Sequence, residues 1–385
     1  MKVVNLSNYF NHHQKPLADA LHNRLNDGFK FVETSGVPEF RKKLGYLELK
    51  APYVLNYEGN EALVERLLME ADVVIYGEAP LELIKPRYNS GKLTFRDDES
   101  RYKNPNRYLK WPVYTYKSHW INKGYLLSAS AYAPIDYLMS GIRPSKCFRW
   151  GYFPEVKKYI GPETLMKKKE LKHPQGVSIL WAGRLIGLKH PEAAIHVAKK
   201  LKDEGVDFEL NIIGTGILEN KIRELIRDGG LENNVHMLGS MTPAEVRTNM
   251  EEADIFLFTS DRCEGWGAVL NESMNSGCAV VADGNIGSVP YLIKDGVNGL
   301  IYKSTNWGEL YKKVSYLVHN PKEREQIGKN AYSTMLSLWN GEVAAKSFIE
   351  LCESILNNTE NPIKEGPCSN APLLMRTFKG KFKVL

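Results

Sequence analysis

With 385 residues, 43% hydrophobic and 25% charged, the chain is long enough for two ordinary domains and too apolar to be disordered. It has no run of about 18 apolar residues that would span a membrane. Its start, MKVVNLSNYFNHHQ, reads as a buried first strand rather than a signal peptide, and its five scattered cysteines suit a reducing cytoplasm. The net charge of +6 is uneven: residues 1–170 hold 27 Lys and Arg against 19 Asp and Glu, whereas residues 171–385 hold 24 against 26.

In chain order, apolar β-rich runs at 2–6, 29–33, 72–76, 92–96 and 125–129 alternate with helical segments at PLADALHNRL, EALVERLLME and PIDYLMSG. Such alternation predicts an α/β domain, a parallel sheet covered by helices on both faces. Residues 156–176, rich in charge with Pro and Gly, read as a linker after a first domain at 1–155. The alternation then restarts with VSILWAG, FELNIIG, NVHMLG, DIFLFTS and CAVVAD, a second doubly wound domain over 177–340. Ligands of such sheets bind beyond the carboxyl ends of the strands, so two of them facing each other predict a central cleft. The helical stretch 341–356 is expected to cross back to the first domain, and the tail 357–385 shows little periodicity.

Three strand-end turns carry polar groups suited to a phosphorylated sugar. In SDRCEGWGAVLNESMNSGCAVVA a strand ends, Glu264-Gly265-Trp266-Gly267 forms a turn, and a helix bearing Glu272 follows. Glycines expose backbone amides at a helix mouth, where negative charge is favoured. Glu264 is placed to accept from sugar hydroxyls, and Glu272, two helical turns on and nearly on the same face, from a second polyol. Helix capping and surface solvation account for either glutamate taken alone. Arg184 and Lys189 in AGRLIGLKHPEAA put two cations where a diphosphate would sit, with ordinary surface charge as the alternative. Gly214-Thr215-Gly216 opens the next helix, and tight packing explains it equally well.

Together, E-x7-E at Glu264 and Glu272, the intervening G-W-G, G-R-x-x-x-x-K at Gly183–Lys189, G-x-G at Gly214–Gly216, SGCAVVA and GVNGLIY resemble the nucleotide-binding domain of retaining glycosyltransferases of family 4. The resemblance covers about residues 177–340. It implies a GT-B architecture of two Rossmann-like domains and transfer of a sugar from a UDP- or GDP-sugar, without an enzymic nucleophile. It also implies roles: Arg184 and Lys189 on the donor diphosphate, Glu264 on the sugar, Glu272 on the ribose, the backbone near Met237–Gly239 at the base, and the amides of Gly265, Trp266 and Gly267 at sugar and phosphate. With no Asp-x-Asp motif on the donor side, no obligatory metal is expected.

The first half departs from the family. Where members often have a Gly-Gly loop after the first strand, this chain has Asn11-His12-His13-Gln14, and where many have a histidine after the strand at 92–96 it has Arg96-Asp97-Asp98-Glu99. Asn11, His12 and His13 are candidates for phosphate or acceptor contacts, with solvation as the alternative for turn histidines. Asp98 and Glu99 are candidates for orienting an acceptor hydroxyl, with helix N-capping as the alternative. Residues 101–125 interleave bases with Trp111, Tyr114, Tyr116, Trp120 and Tyr125, which suits an anionic membrane surface. No nucleic-acid module accompanies them, and a core helix with solvated bases is the plainer reading. The sequence thus predicts a cytoplasmic transferase, peripheral on the membrane, that acts on a glycan or lipid-linked acceptor in cell-surface polysaccharide synthesis. The alternatives are a nucleotide-sugar epimerase of the same fold and a catalytically silent subunit of a transferase complex.

Overall fold

Parallel strands buried on both faces need apolar side chains at consecutive positions, and VVIY, IFLF and AVVAD are buried along their whole length. The structure is a computed structural model that describes residues 1–42, 48–101, 111–157, 161–172, 176–304, 306–375 and 383–384. It divides into two units, one built from Met1–Glu155 and Leu338–Met375, the other from Val156–Ser337.

The first unit holds β1 (Val3–Ser7), β2 (Phe29–Glu33), β3 (Val54–Asn56), β4 (Val73–Tyr76), β5 (Thr94–Asp98), β6 (Tyr125–Ser128) and β7 (Cys147–Arg149). They form one parallel sheet in the order β3-β2-β1-β4-β5-β6-β7. The direction of winding reverses between β1 and β4, which makes that point the natural ligand crevice of the unit. Arg87, fully buried, donates to the carbonyls of Leu68, Ala71, Asp72 and Leu93 and to Thr94 Oγ1, tying the end of the helix Glu61–Glu70 to the start of β5. Helix Gly341–Leu356, capped by Asn340 Oδ1 accepting from the Val343 amide at 2.9 Å, packs on helix Lys15–Leu25. Their contact is so close that a Cβ at Gly341 would stand 2.7 Å from the Pro16 carbonyl.

Residues 366–371 run antiparallel along β7. Arg149 N–H donates to the Ser369 carbonyl, Cys368 N–H to the Arg149 carbonyl and Ala371 N–H to the Cys147 carbonyl, at 2.7–2.9 Å. An edge strand with unpaired amides invites intermolecular pairing, and this strap satisfies β7 from within the chain.

The second unit holds β8 (Val177–Ala182), β9 (Phe208–Ile213), β10 (Val235–Gly239), β11 (Ile255–Phe258), β12 (Ala279–Asp283) and β13 (Leu300–Tyr302), parallel in the order β10-β9-β8-β11-β12-β13. Its winding reverses between β8 and β11.

Where the sequence suggests a linker at 156–176, the structure has the helix Pro162–Lys172 packed on the helices Pro243–Glu252 and Pro321–Ser337. Its inward residues are Leu165 and Lys169, one turn apart. Lys169, only 3% exposed, donates to the carbonyls of Met250, at 3.1 Å, and Ala253. These belong to the last turn of helix 243–252, where carbonyls lack helical partners and the helix dipole favours a cation. Charge that looks like a linker composition is here a helix cap. Among the described residues no helix is long and apolar enough to cross a membrane.

Candidate functional site

The reversal between β8 and β11 puts the loops after these two strands side by side, and they carry Arg184, Lys189 and Glu264. Lys189 Nζ donates to the Glu264 carboxylate, and both side chains are only 16% exposed, while Arg184, in the same loop as Lys189, is exposed. The loops are laced together beneath this pair. Trp181 Nε1 donates to Thr259 Oγ1 at 2.8 Å, the Thr259 hydroxyl donates to the Lys189 carbonyl at 2.7 Å, and the Asp261 amide donates to the Leu188 carbonyl at 3.0 Å. His190 joins from the same loop, with Nε2 at 3.3 Å from Asp261 Oδ2 and Nδ1 at 3.6 Å from Glu192. The hydrogen bond to Asp261 raises the His190 pKa above its ordinary value, despite the opposing effect of burial.

Glu264 lies in the loop upstream of helix Val269–Asn275, so the E-x7-E spacing does not place the two glutamates on turns of one helix. Gly267, at φ +81°, lets the chain turn where a Cβ would meet the Phe258 ring at 2.4 Å. The amides of Gly265 and Gly267 have no hydrogen-bond acceptor among the described residues. The Trp266 indole is fully buried, donates to Asn271 Oδ1 at 2.9 Å, and builds the turn from inside. Its carbonyl accepts from Ser288 Oγ at 2.6 Å. Glu272 is half-buried, and burial pushes its carboxyl up to about 7, with Arg247 pulling the other way.

Gly214 and Gly216 serve loop packing. At Gly214 (φ +131°) a Cβ would lie 1.9 Å from the Gly183 carbonyl oxygen, and at Gly216 one would lie 2.4 Å from that of Leu185. Leu185 N–H donates to the Thr215 carbonyl and Gly214 N–H to the Gly239 carbonyl, so the loops after β8, β9 and β10 are held in contact. Met237 is partly buried against the core beneath a bulge in β10 that skips Leu238, leaving the latter exposed.

In the first unit, the turn Asn11–Gln14 follows β1 at that sheet's own reversal. Asn11 shapes it: its Oδ1 accepts from the His13 amide at 2.9 Å and its Nδ2 donates to Gln14 Oε1 at 3.2 Å. The His12 and His13 rings are 3.9 Å apart, and His13 stacks on Tyr152 at 6.3 Å. Asp98 and Glu99 cap no described helix. Asp98 accepts from Tyr137 Oη and lies 3.3 Å from Arg96 and 3.9 Å from Arg101. Burial works against its charge, but Arg96, Tyr137 and Arg101 hold the carboxyl below the ordinary range. These partners tie Asp98 to β5, the helix 133–138 and Arg101 beyond the strand. Glu99 accepts from Tyr152 Oη at 2.7 Å, and burial raises the neighbouring Asp97 to about 7. The sequence reading passed over Asp97, His190, Asp261 and Arg247; position in a loop that follows a strand was the signal for His190 and Asp261, and Asp97 lies within β5.

Of the aromatic-basic stretch 101–125, residues 102–110 with Arg107 and Lys110 lie outside the described residues. In helix Trp111–Ile121, Val113 and Tyr116 are exposed at 52% and 57%, and Trp120 lies under Lys85 and Lys123 at 5.6 and 4.6 Å.

Two Rossmann-like parallel-sheet units, each with polar strand-end loops at its reversal, give the chain a GT-B architecture. Residues 163–334 match the family model of glycosyl transferases group 1. AmsK, an amylovoran biosynthesis glycosyltransferase of Erwinia amylovora, is 36% identical over 146 residues, 36% of this chain and 35% of its own. WcaL of Escherichia coli, a putative colanic acid biosynthesis glycosyltransferase, is 33% identical over 185 residues, 46% of this chain and 45% of its own. The chain thus spans less than half the length of these relatives. Among solved structures, Anabaena HepE in complex with UDP superposes with a TM-score of 0.69 at 16% identity, covering 92% of this chain and all of that one. WaaG, a glycosyltransferase involved in lipopolysaccharide biosynthesis, gives 0.61 at 14% identity, covering 90% and 99%.

Proposed function

We propose that the protein is a retaining glycosyltransferase that moves a sugar from a nucleoside diphosphate to a hydroxyl of a glycan or lipid-linked acceptor in cell-surface polysaccharide synthesis. The observation that carries this reading is the Lys189–Glu264 pair at the reversal of the second sheet, with Arg184 exposed in the same loop as Lys189. A bound donor exchanges these partners: its diphosphate takes Lys189 and Arg184, and its sugar hydroxyls donate to the released Glu264. Negative charge that builds on the leaving diphosphate is then met by two cations, with no metal required. The amides of Gly265 and Gly267 offer further donors to sugar or phosphate. Solved relatives of the same fold bind UDP and UDP-glucose in HepE, and UDP with α-GlcNAc-glycerol in TarM, which supports a nucleotide-sugar donor and a polyol acceptor.

The enzyme acts on the cytoplasmic face of an anionic membrane, a reading supported by the exposed Val113 and Tyr116 beside Lys117 and Lys123. Its binding to acidic vesicles should weaken as salt rises, because exposed charges are screened. Equal partition to neutral and acidic vesicles would remove this part of the proposal. For the activity itself, incubation with UDP- and GDP-sugars and an acceptor glycan should release the nucleoside diphosphate with chelator present. Release only after a divalent ion is restored would overturn the metal-free reading, and no release from any donor would overturn the transferase.

A further inference from the structure

His190 occupies a backbone conformation that rarely suits a histidine. At φ 47° and ψ 55° it is left-handed, just ahead of Pro191 at the start of helix Pro191–Asp203, where glycine or asparagine would sit with less strain. Strain kept at a strand-end loop points to a task for the side chain. The ring spans two carboxylates, Asp261 from the loop after β11 and Glu192 from its own helix. The other charged groups of the surrounding loops are Arg184 and Lys189 in its own loop, and Arg262 and Glu264 following Asp261; the loop after β9, residues 214–218, has none. Asp261 in turn accepts from the Cys263 amide at 2.7 Å, which starts the turn leading to Glu264.

We propose that His190 is a positioning residue for sugar transfer: its bridge to Asp261 pins the loop after β11 to the loop after β8, and so holds the turn that carries Glu264 in place beside the loop that carries Lys189. The inference rests on the transferase reading for its consequence but not for the bridge itself. The Asp261 amide and the Thr259 hydroxyl, donating to the Leu188 and Lys189 carbonyls, bring the two loops together, and the ring bridge fixes the turn carrying Glu264. The imidazolium makes the stronger bridge, since both ring nitrogens then donate towards carboxylates. As pH rises through the His190 titration the ring loses its charge, the turn loosens, and Glu264 is less often in place.

Two measurements separate bridge from consequence. NMR titration of the His190 ring in the nucleotide-free protein should show a pKa above the ordinary value of about 6.5, falling in Asp261→Asn. Amide exchange in residues 262–267 should speed up in His190→Gly, a substitution whose backbone suits φ 47° and which therefore folds. In transfer assays the wild type should lose kcat/KM as pH rises through that same titration, and His190→Gly should lose this limb. At about pH 6 the variant's kcat should fall about tenfold with donor KM within about twofold, the signature of misplacement rather than lost binding. An unraised His190 titration, or a glycine variant with wild-type exchange and an unchanged pH limb, overturns the proposal. If no nucleotide sugar is turned over, the transferase reading fails, while titration and exchange still decide whether the bridge exists.

Discussion

Glu272 sits where ionisation is costly, and that cost can be measured without substrate. Burial raises its carboxyl from the ordinary 4.5 to about 7, so between these values the folded protein holds a proton that the unfolded chain releases. A raised carboxyl pKa contributes full relative stability below about pH 4.5, and that contribution drains away as pH climbs towards the folded pKa. The loss stops growing above about pH 7, where both states are ionised. Integrated over this window, the penalty on the wild type grows by about 2 kcal/mol from about pH 5.5 to 8.5. In Glu272→Gln the penalty is absent at every pH. Urea unfolding of both proteins, followed at these two pH values, should therefore show the variant gaining about 2 kcal/mol on the wild type at the higher pH. A gap of constant size would show that Glu272 ionises as an ordinary surface carboxylate and would refute the burial argument.

The two glutamates should separate in binding. Glu264→Gln should leave nucleoside diphosphate affinity near normal and lower turnover, whereas Glu272→Gln should weaken diphosphate and nucleotide sugar alike by about ten- to a hundredfold in calorimetry, the worth of one charge-assisted hydrogen bond. Gly214→Ala should unfold the second unit at lower denaturant or displace the Gly183 loop, since its methyl carbon would stand 1.9 Å from that carbonyl; wild-type stability and nucleotide affinity together would contradict the packing. Arg87→Met should cost about 3 kcal/mol or more in the first unit by leaving buried carbonyls without their donor, and equal midpoints in urea would show those carbonyls satisfied elsewhere.

Much of the fold was legible because parallel strands buried on two faces leave unbroken apolar runs, as in VVIY and IFLF. What escaped was short or polar. Strands β3, β7 and β13 have three residues each, too few for a periodic signal. The helix 162–172 reads as a linker because one of its inward residues is Lys169, whose partners are carbonyls far along the chain. The candidate site was legible as residue types after strands, and its pairings were not. That Lys189 meets Glu264 follows from β8 and β11 being neighbours, a fact of topology rather than spacing. The sequence marks the turn by its glycines but does not show that the Trp266 indole between them is the buried wedge that shapes it. Nor does it show that Arg96 and Arg101, one held in β5 and one beyond it, lie against Asp98.

The first unit is assembled from both flanks of the second, and this sets an order of events on the ribosome. Helix 15–25 emerges early, but its covering helix 341–356 is complete only some 200 residues after residue 156, about 10–40 s of further synthesis. During that interval the second unit, uninterrupted from Val156 to Ser337, can complete its own sheet while the first remains unsealed. A chain arrested or clipped near residue 338 would therefore keep a folded second unit attached to an unfinished neighbour with an open β7 edge. The protein's exposure to chaperones and to self-association is thus concentrated in the half that was translated first.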